Sequence, residues 1–550
     1  MNFESVVVYP NARTPVQSSP IFKIRFDSFL SFVTIKSENS QHYLPGLVTI
    51  ALMKLDFEVC YTAARSRDPR FDGRFFVAVK TTGVYCRPIC PANMPRPENI
   101  RFYISASAAE EAGFRPCLRC RPEASPGTPE WQEAYSTVSR ALRLIGEGAL
   151  DEGGVTGLAR GLHLSPRHLR RLFVQHLGAP PSAVAQTRRI HFAKKLIDET
   201  TLPMAEIAFC AGFSSIRRFN AAIRSAYGLT PTELRQSHQP AASTNGELSL
   251  QLRLSYRPPF DWGSLIRFLG ARAIQGVEAI EAGRYRRTVQ IGPATGIIEV
   301  WPVEASPHLV LRATPGLSRG LMQISERVRG LFDLKADPLD ISGHLGQDEL
   351  MAGLVSKYPG LRIPGAWDGF EIAVRAVLGQ QVSVKAANTL AGRLVEAHGE
   401  PLQALGDADL AYLFPPPERL AEADLSGIGL MPQRAAAIRG LARAVCDGEL
   451  AFGTAVGLDE AIERLTGLAG VGPWTAHYIA LRALGEPDAF PAGDLGLRKA
   501  AAQDKTGMLT EAQLRRRAEP WRPWRAYGAM YLWQDYAASQ TGALGRRNGL

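Results

Sequence analysis

No stretch of this 550-residue chain approaches the roughly 18 consecutive apolar residues that a helix needs to cross a bilayer. The N-terminus also lacks a basic start followed by an apolar core, so no secretory signal is expected and the reading is a cytoplasmic protein without membrane partners. Cysteine is scarce, with 7 residues in all. An odd, sparse set argues against a disulfide framework, and the clustering of four cysteines between positions 86 and 120 points to a metal site instead. Residues 1 to about 52 lack a clear helical or strand period. Met53 opens the stretch that runs into the first recognisable module, so Met53 is the expected natural start, with a genuine tail or short extra element over 1–52 as the alternative.

What is present is ordinary for folded protein: 45% hydrophobic and 21% charged residues. At about 150 residues per domain the length suggests about four units. The net charge of +10 and a pI near 9.3 would draw the chain to a polyanion, of which nucleic acid is the commonest. Solvated surface charge would explain the same numbers equally well.

Patterning divides the chain. Residues 53–130 are short and mixed, with a strand expected at Phe75-Phe76-Val77-Ala78-Val79. Residues 131–236 show helical periods broken by Gly, with start signals such as Ser165-Pro166, an N-cap followed by proline at the first helical position. Residues 237–247 are small, polar and turn-forming and read as a flexible linker at which the chain divides. Alternation returns at Leu248–Leu254 and around Val289–Val300, which predicts a small sheet within 248–350. Residues 351–540 are helical almost throughout. The expected fold class is therefore multidomain α+β: a small four-cysteine domain, an all-α domain, a small α+β domain and a second all-α domain.

Cys86-x3-Cys90 and Cys117-x2-Cys120 are two close pairs that can converge on one ion, and four thiolates suit tetrahedral Zn2+. Spacing alone implies only a structural knuckle. The surrounding text, from Phe76 through Tyr85-Cys86-Arg87-Pro88-Ile89-Cys90, then Glu98–Tyr103 and Gly113-Phe114-Arg115-Pro116-Cys117-Leu118-Arg119-Cys120, closely resembles the N-terminal domain of the bacterial Ada family. That resemblance implies that Cys86 is both a zinc ligand and the acceptor of a methyl group from a methylphosphotriester in DNA, transferred once per protein molecule. Thiolate is the nucleophilic form of cysteine, and a divalent cation keeps it deprotonated. Arg87, Arg101, Arg115, Arg119 and Arg121 supply positive charge nearby and are expected near the DNA backbone. No Pro-Cys-His-Arg sequence of the second Ada transferase is present, so O6-methylguanine repair is not expected.

Two similar segments follow, Gly157–Phe173 and Ala205–Phe219, the second closing on Tyr227-Gly228-Leu229-Thr230-Pro231. Each reads as helix, Gly-containing turn, helix. In tandem they resemble the AraC-type regulator domain, which implies sequence-specific DNA binding by the second helix of each motif. The candidate contacts are Arg167, His168, Arg170 and Arg171 in one helix, and Ser214, Ser215, Arg217, Arg218 and Asn220 in the other. Leu158, Leu169, Leu172, Phe173, Ile207, Phe213 and Phe219 are expected to be core.

Gly427-Ile428-Gly429 and Gly470-Val471-Gly472 are Gly-x-Gly turns between helical segments, which either approach phosphate through free N–H groups at a helix start or simply join two helices. The continuation through Pro473-Trp474, Tyr478 and Phe490-Pro491-Ala492-Gly493-Asp494 resembles the helix-hairpin-helix glycosylase superfamily. Tyr256–Trp262, Leu331–Leu334, Gly360–Gly365, Ala376–Ser383 and Pro523–Tyr527 extend the resemblance to AlkA-like 3-methyladenine DNA glycosylase II.

The resemblance implies Asp494 as the catalytic carboxylate and Gly470 and Gly472 as DNA contacts. It further implies Trp474, Tyr478 and Trp533 as walls for a flipped, cationic base. Trp474 stands where strand-cleaving members carry a lysine nucleophile, so base release without lyase activity is expected. Gln381 replaces the apolar residue that wedges into the DNA stack in AlkA.

The expectation is a monomeric alkylation-damage protein. It would excise 3-methyladenine and 7-methylguanine from double-stranded DNA, sense methylphosphotriesters and activate promoters, with RNA polymerase as a further partner. A regulator whose glycosylase half only grips DNA, and a metal-stapled scaffold without transfer chemistry, are the alternatives.

Overall fold

The computed structural model describes residues 23–25, 34–36, 55–126, 137–146, 148–237, 250–304, 306–402, 407, 409–452, 457–502 and 507–547. The chain falls into two compact units, Met1–Asp56 and Phe57–Leu550. In the first, Lys23–Arg25 pairs antiparallel with Thr34–Lys36. Three residues a side are too few for a period to register in sequence. Met53 lies outside the described residues.

The second unit begins with a helix, Phe57–Ser66, and a four-stranded sheet in the order Ile100–Tyr103, Phe76–Val79, Val84–Cys86, Arg115–Pro116. The expected strand is there. Phe76, Ala78, Tyr85 and Ala109 form one buried cluster, and Cys60, Phe75, Val77, Val79 and Ile100 are buried as well. The module leans on a long helix, Pro181–Glu199: the buried Tyr85 hydroxyl donates to Glu110 (2.7 Å) and lies 2.9 Å from Nε2 of His191 on that helix, and Thr187 donates to the other oxygen of Glu110 (2.5 Å).

Both helix-turn-helix segments form. The first is Gly154–Gly161 and Pro166–Leu177, the second Met204–Cys210 and Ile216–Tyr227. Ser165 caps its helix as its sequence predicts, accepting from His168 N at 3.2 Å with Pro166 in the first turn. Leu158, Leu169, Phe173, Ile207, Phe213 and Phe219 are buried and Leu172 is half-buried. One detail departs from expectation. The left-handed turn residue is Gly212 (φ +77°) in the second motif but His163 (φ +54°) in the first, where Gly161 is still helical.

A five-stranded antiparallel sheet follows, ordered Leu250–Ser255, His308–Ala313, Ala294–Pro302, Arg284–Ile291, Glu278–Glu281. Leu250, Leu252 and Leu254 face inward while Gln251 and Arg253 face out, the alternation read from sequence. Among the described residues the remainder is helices and loops apart from one pair of two-residue strands, Glu400–Pro401 with Tyr412–Leu413. Gly360 (φ +81°) explains one of the shared motifs: a Cβ there would lie 2.5 Å from the backbone carbon of Pro259, so the Gly360–Gly365 segment can lie against Tyr256–Trp262 only with glycine at that place.

The segments on either side of the expected linker, 237–247, share apolar packing. Ser237 ends the helix Pro231–Ser237, and 238–249 lie outside the described residues. On either side one apolar cluster is continuous, running from Ile190, Ile207, Phe219 and Leu234 to Leu250, Leu252, Leu311 and Phe332. Polar ties cross as well. Arg74 of the cysteine module pairs with Asp337 and Asp340, Arg188 with Glu326 at 3.0 Å, and Glu199 accepts from Arg253 N at 2.9 Å. Linker composition reports the freedom of the linker alone; whether the flanking faces fit is decided by surfaces assembled from distant sequence. Among the described residues no helix is long and apolar enough to cross a membrane.

Candidate metal centre, nucleic-acid interface and active site

The parallel pairing of Val84–Cys86 with Arg115–Pro116 sets Tyr85 opposite Pro116, and Cys117 N donates to Tyr85 O at 3.0 Å. Cys86 and Cys117 therefore emerge side by side from adjacent strands, and the turns after them return Cys90 and Cys120. The four sulfurs lie within 4.8 Å of one another, a donor set that fits a tetrahedral soft-ligand ion. Cys86 and Cys120 are buried, Cys90 and Cys117 half-buried.

Two of the five nearby arginines are engaged within the protein. Arg87 pairs with Asp72, and its backbone N–H points at the Cys120 sulfur (3.3 Å). Arg121 pairs with Asp198 (2.9 Å), Glu123 (3.2 Å) and Glu199 (3.4 Å). Arg101, Arg115 and Arg119 are exposed.

Along the second helix of each helix-turn-helix motif, Arg167, Arg170, Arg171, Ser214, Arg217, Arg218 and Asn220 are exposed, and His168 and Ser215 half-buried. Ser215 is itself an N-cap, its hydroxyl accepting from Arg218 N at 3.2 Å, which occupies one of its two acceptor sites.

The third site lies between helices. Asp494 closes the loop after the helix Pro473–Arg482 and caps Leu495–Ala500, its Oδ1 accepting from Leu497 N at 2.9 Å. The same carboxylate accepts from two indoles, Trp474 Nε1 at Oδ2 and Trp533 Nε1 at Oδ1, both 3.0 Å. Capping and site chemistry thus coexist in one side chain. Trp474 and Tyr478, one helical turn apart, stack with centroids 5.4 Å apart and planes 12° from parallel; Trp533 meets Tyr478 edge-on at 6.3 Å.

These residues line a cavity of about 230 Å³ together with Phe268, Arg272, Arg375, Asn388 and others. Sequence reasoning missed these four because they come from segments distant in sequence: Phe268, Arg375 and Asn388 from three other helices and Arg272 from a turn. The one signal for Arg375 is a charged residue inside the apolar run Ile372-Ala373-Val374-Arg375-Ala376-Val377. Burial raises the Tyr478 phenol, but Arg482, Arg272 and Arg375 outweigh it and leave its pKa below the ordinary tyrosine value; Arg482 donates to the phenol oxygen at 2.9 Å.

Gly470 has φ +85°, and a Cβ on it would meet that of Ala437 at 2.6 Å; at Gly472, the N-cap of Pro473–Arg482, a Cβ would meet nothing within 4 Å. The first glycine is demanded by the turn, and the second leaves the helix start open to an approaching backbone. Gln381 is exposed, in a left-handed conformation (φ +54°). Its neighbour Gln380 is pinned to Gly470 O (2.8 Å) and Thr475 Oγ1 (3.0 Å), so Gln381 stands on an anchored turn at the rim of the cavity.

Four family models match the chain: the metal binding domain of Ada over residues 59–123, a helix-turn-helix domain over 158–237, the AlkA N-terminal domain over 251–368 and the HhH-GPD superfamily of base excision DNA repair proteins over 374–523. Over 483 residues the chain is 45% identical to a Mycobacterium tuberculosis protein named "Probable bifunctional transcriptional activator/DNA repair enzyme AlkA", covering 87% of this chain and 96% of that one. The chain belongs to this bifunctional AlkA family.

Its two halves also match separate proteins. The second is 36% identical to DNA-3-methyladenine glycosylase 2 of Escherichia coli, over 51% of this chain and 95% of that one. The first is 43% identical over 126 residues to the bifunctional transcriptional activator/DNA repair enzyme Ada of E. coli, over 22% and 34% of the respective chains. As an AlkA-family fusion the protein combines a zinc domain, a helix-turn-helix region, a small sheet domain and a helix-hairpin-helix DNA glycosylase, and it binds DNA. Zinc is its metal.

Proposed function

We propose that this AlkA-family protein excises alkylated purines of the 3-methyladenine and 7-methylguanine class from double-stranded DNA, with Asp494 as the catalytic carboxylate, and separately accepts a methyl group from DNA methylphosphotriesters on Cys86. The observation that carries the first part is the Asp494 carboxylate held by two indole N–H groups at the wall of an aromatic cavity. Alkylation at purine N3 or N7 leaves the base positively charged and a good leaving group. The glycosidic C–N bond breaks with its electron pair going to the base, which leaves neutral, and water adds to the sugar C1′ and gives up one proton to solvent. A fixed carboxylate stabilises the oxocarbenium character that develops there. Of the four acceptor directions of Asp494, three are filled by N–H donors, which leaves one to orient that water.

On Cys86, the sulfur forms a bond to the methyl carbon, the carbon–oxygen bond breaks, and the DNA phosphodiester leaves as the anion with the electron pair. Zinc, when bound, keeps the four sulfurs deprotonated at neutral pH. Arg101, Arg115 and Arg119, exposed beside the cluster, would face the DNA backbone. The working division of the chain is 53–130 for methyl acceptance, 131–236 for promoter reading, 248–350 and 351–540 for the glycosylase. It would act in the cytoplasm as a monomer, with RNA polymerase as the partner at promoters.

One incubation tests both chemistries. Zinc-loaded protein mixed with methylated DNA should release 3-methyladenine and 7-methylguanine over many turnovers and gain at most one methyl, mapped by peptide mass to Cys86. A methyl found on the more accessible Cys90 or Cys117 would move the acceptor, and no free base would leave the glycosylase half as a DNA grip alone. For the regulator, Arg217→Ala with Arg218→Ala should remove specific promoter binding and leave base release untouched; promoter affinity equal to the parent's would reassign that helix.

A further inference from the structure

The segment Glu486–Asp494 joins the helix Pro473–Arg482 to the helix that Asp494 caps, and its anchoring decides where the carboxylate sits. At its start Arg525 holds Asp488 through two bonds of 2.7 Å. At its end Asp494 is held by Trp474 and Trp533. Between them Pro491 has no N–H to offer, and the ties within the segment are short-range: Ala492 N to Phe490 O at 2.9 Å and Asp494 N to Pro491 O at 2.9 Å. Phe490 N instead donates across to the Nδ1 of His477 at 3.3 Å. The Phe490 ring is buried edge-on against Trp521, 5.9 Å between centroids.

His477 sits on the same helix as Trp474, three residues on. The helix therefore carries two rungs to the loop, Trp474 to Asp494 and His477 to Phe490, and together they set both the distance and the register of the loop.

We propose that His477 is a positioning residue of the base-release reaction: its neutral imidazole accepts the Phe490 N–H and thereby fixes the Asp494 carboxylate against the cavity. Only the unprotonated Nδ1 can accept, with the ring proton on Nε2. Burial, then Arg515 and Arg525, hold the imidazole pKa down to about 4 against the opposing Glu511 and Asp459, which keeps the acceptor available at neutral pH. The inference rests on Asp494 as the catalytic group. A misplacement of about 1 Å at a reacting group can cost about 10²-fold in rate.

The test compares His477→Leu, which has no acceptor, with His477→Asn, whose Oδ1 takes the place of Nδ1, and with His477→Gln, whose carbonyl lies one methylene further out. Full-length, zinc-loaded proteins are assayed for kcat and KM on a duplex bearing one 7-methylguanine, with Asp494→Asn alongside. His477→Leu and His477→Gln should lose about 10- to 100-fold in kcat with KM within about two-fold of the parent, and His477→Asn should recover most of the loss. Should His477→Leu not fold, the Asn and Gln variants carry the comparison.

A kcat for His477→Leu within two-fold of the parent, or an Asn variant as impaired as the Gln variant, overturns the positioning role. Full activity in Asp494→Asn would instead overturn the catalytic assignment beneath it.

Discussion

Asp494→Asn is expected to lower release of 3-methyladenine and 7-methylguanine by roughly 10²–10³-fold or more while leaving affinity for DNA close to that of the parent. The substitution is unusually clean at this position. Asparagine is as good an N-cap as aspartate, so the bond from Leu497 N and the start of the helix Leu495–Ala500 survive. What changes is charge and one acceptor. The carboxylate receives an indole N–H on each oxygen; an amide offers one oxygen and turns an NH2 toward the other indole, donor against donor. Negative charge at the developing oxocarbenium disappears together with one of the two ties that orient it. Single-turnover release from a methylated duplex measures the loss, and a binding titration on the same duplex checks that only chemistry is affected. Release at the parental rate would remove Asp494 from the mechanism.

Removal of zinc by a chelator, or Cys117→Ser, should abolish methyl acceptance and melt the cysteine module, read as lost protection from proteolysis across residues 57–126. Structural zinc contributes on the order of 10–16 kcal/mol in small metal-folded modules, more than the roughly 3–5 kcal/mol that a single core below about 70–80 residues supplies. Base release should survive, because the glycosylase half matches 95% of the length of a separate E. coli glycosylase. Its melting temperature should nevertheless fall. Asp337 and Asp340 would lose Arg74, and the surface that the cysteine module covers would return to water. Base release that disappears along with the metal would show the two halves to be interdependent. Cys86→Ser should also lose methyl acceptance, and metal content measured on the same sample separates loss of the acceptor from loss of the ion.

The helix-turn-helix region and the sheet domain thus pack against one another across the segment whose composition reads as a linker. A core continuous from Ile190 to Phe332 makes the helix-turn-helix region part of the glycosylase's support.

Much of this was legible in the residues themselves. The cysteine spacing, the tandem helix-turn-helix segments, the Gly470–Gly472 turn and the i, i+4 pair Trp474 and Tyr478 are local patterns. Local geometry follows from backbone preference and periodicity, so the capped helix at Ser165 and the alternation over Leu248–Leu254, most of which forms the strand Leu250–Ser255, are readable from sequence. What only the tertiary structure decided are relations between distant segments: the parallel strand pair that sets Cys117 beside Cys86, the second indole on Asp494, Arg272 and Arg375 brought from separate segments to the cavity beside it, and the engagement of Arg87 and Arg121 inside the protein. Each depends on which surfaces exclude water together and which buried charges must find partners. No single stretch of sequence carries that information.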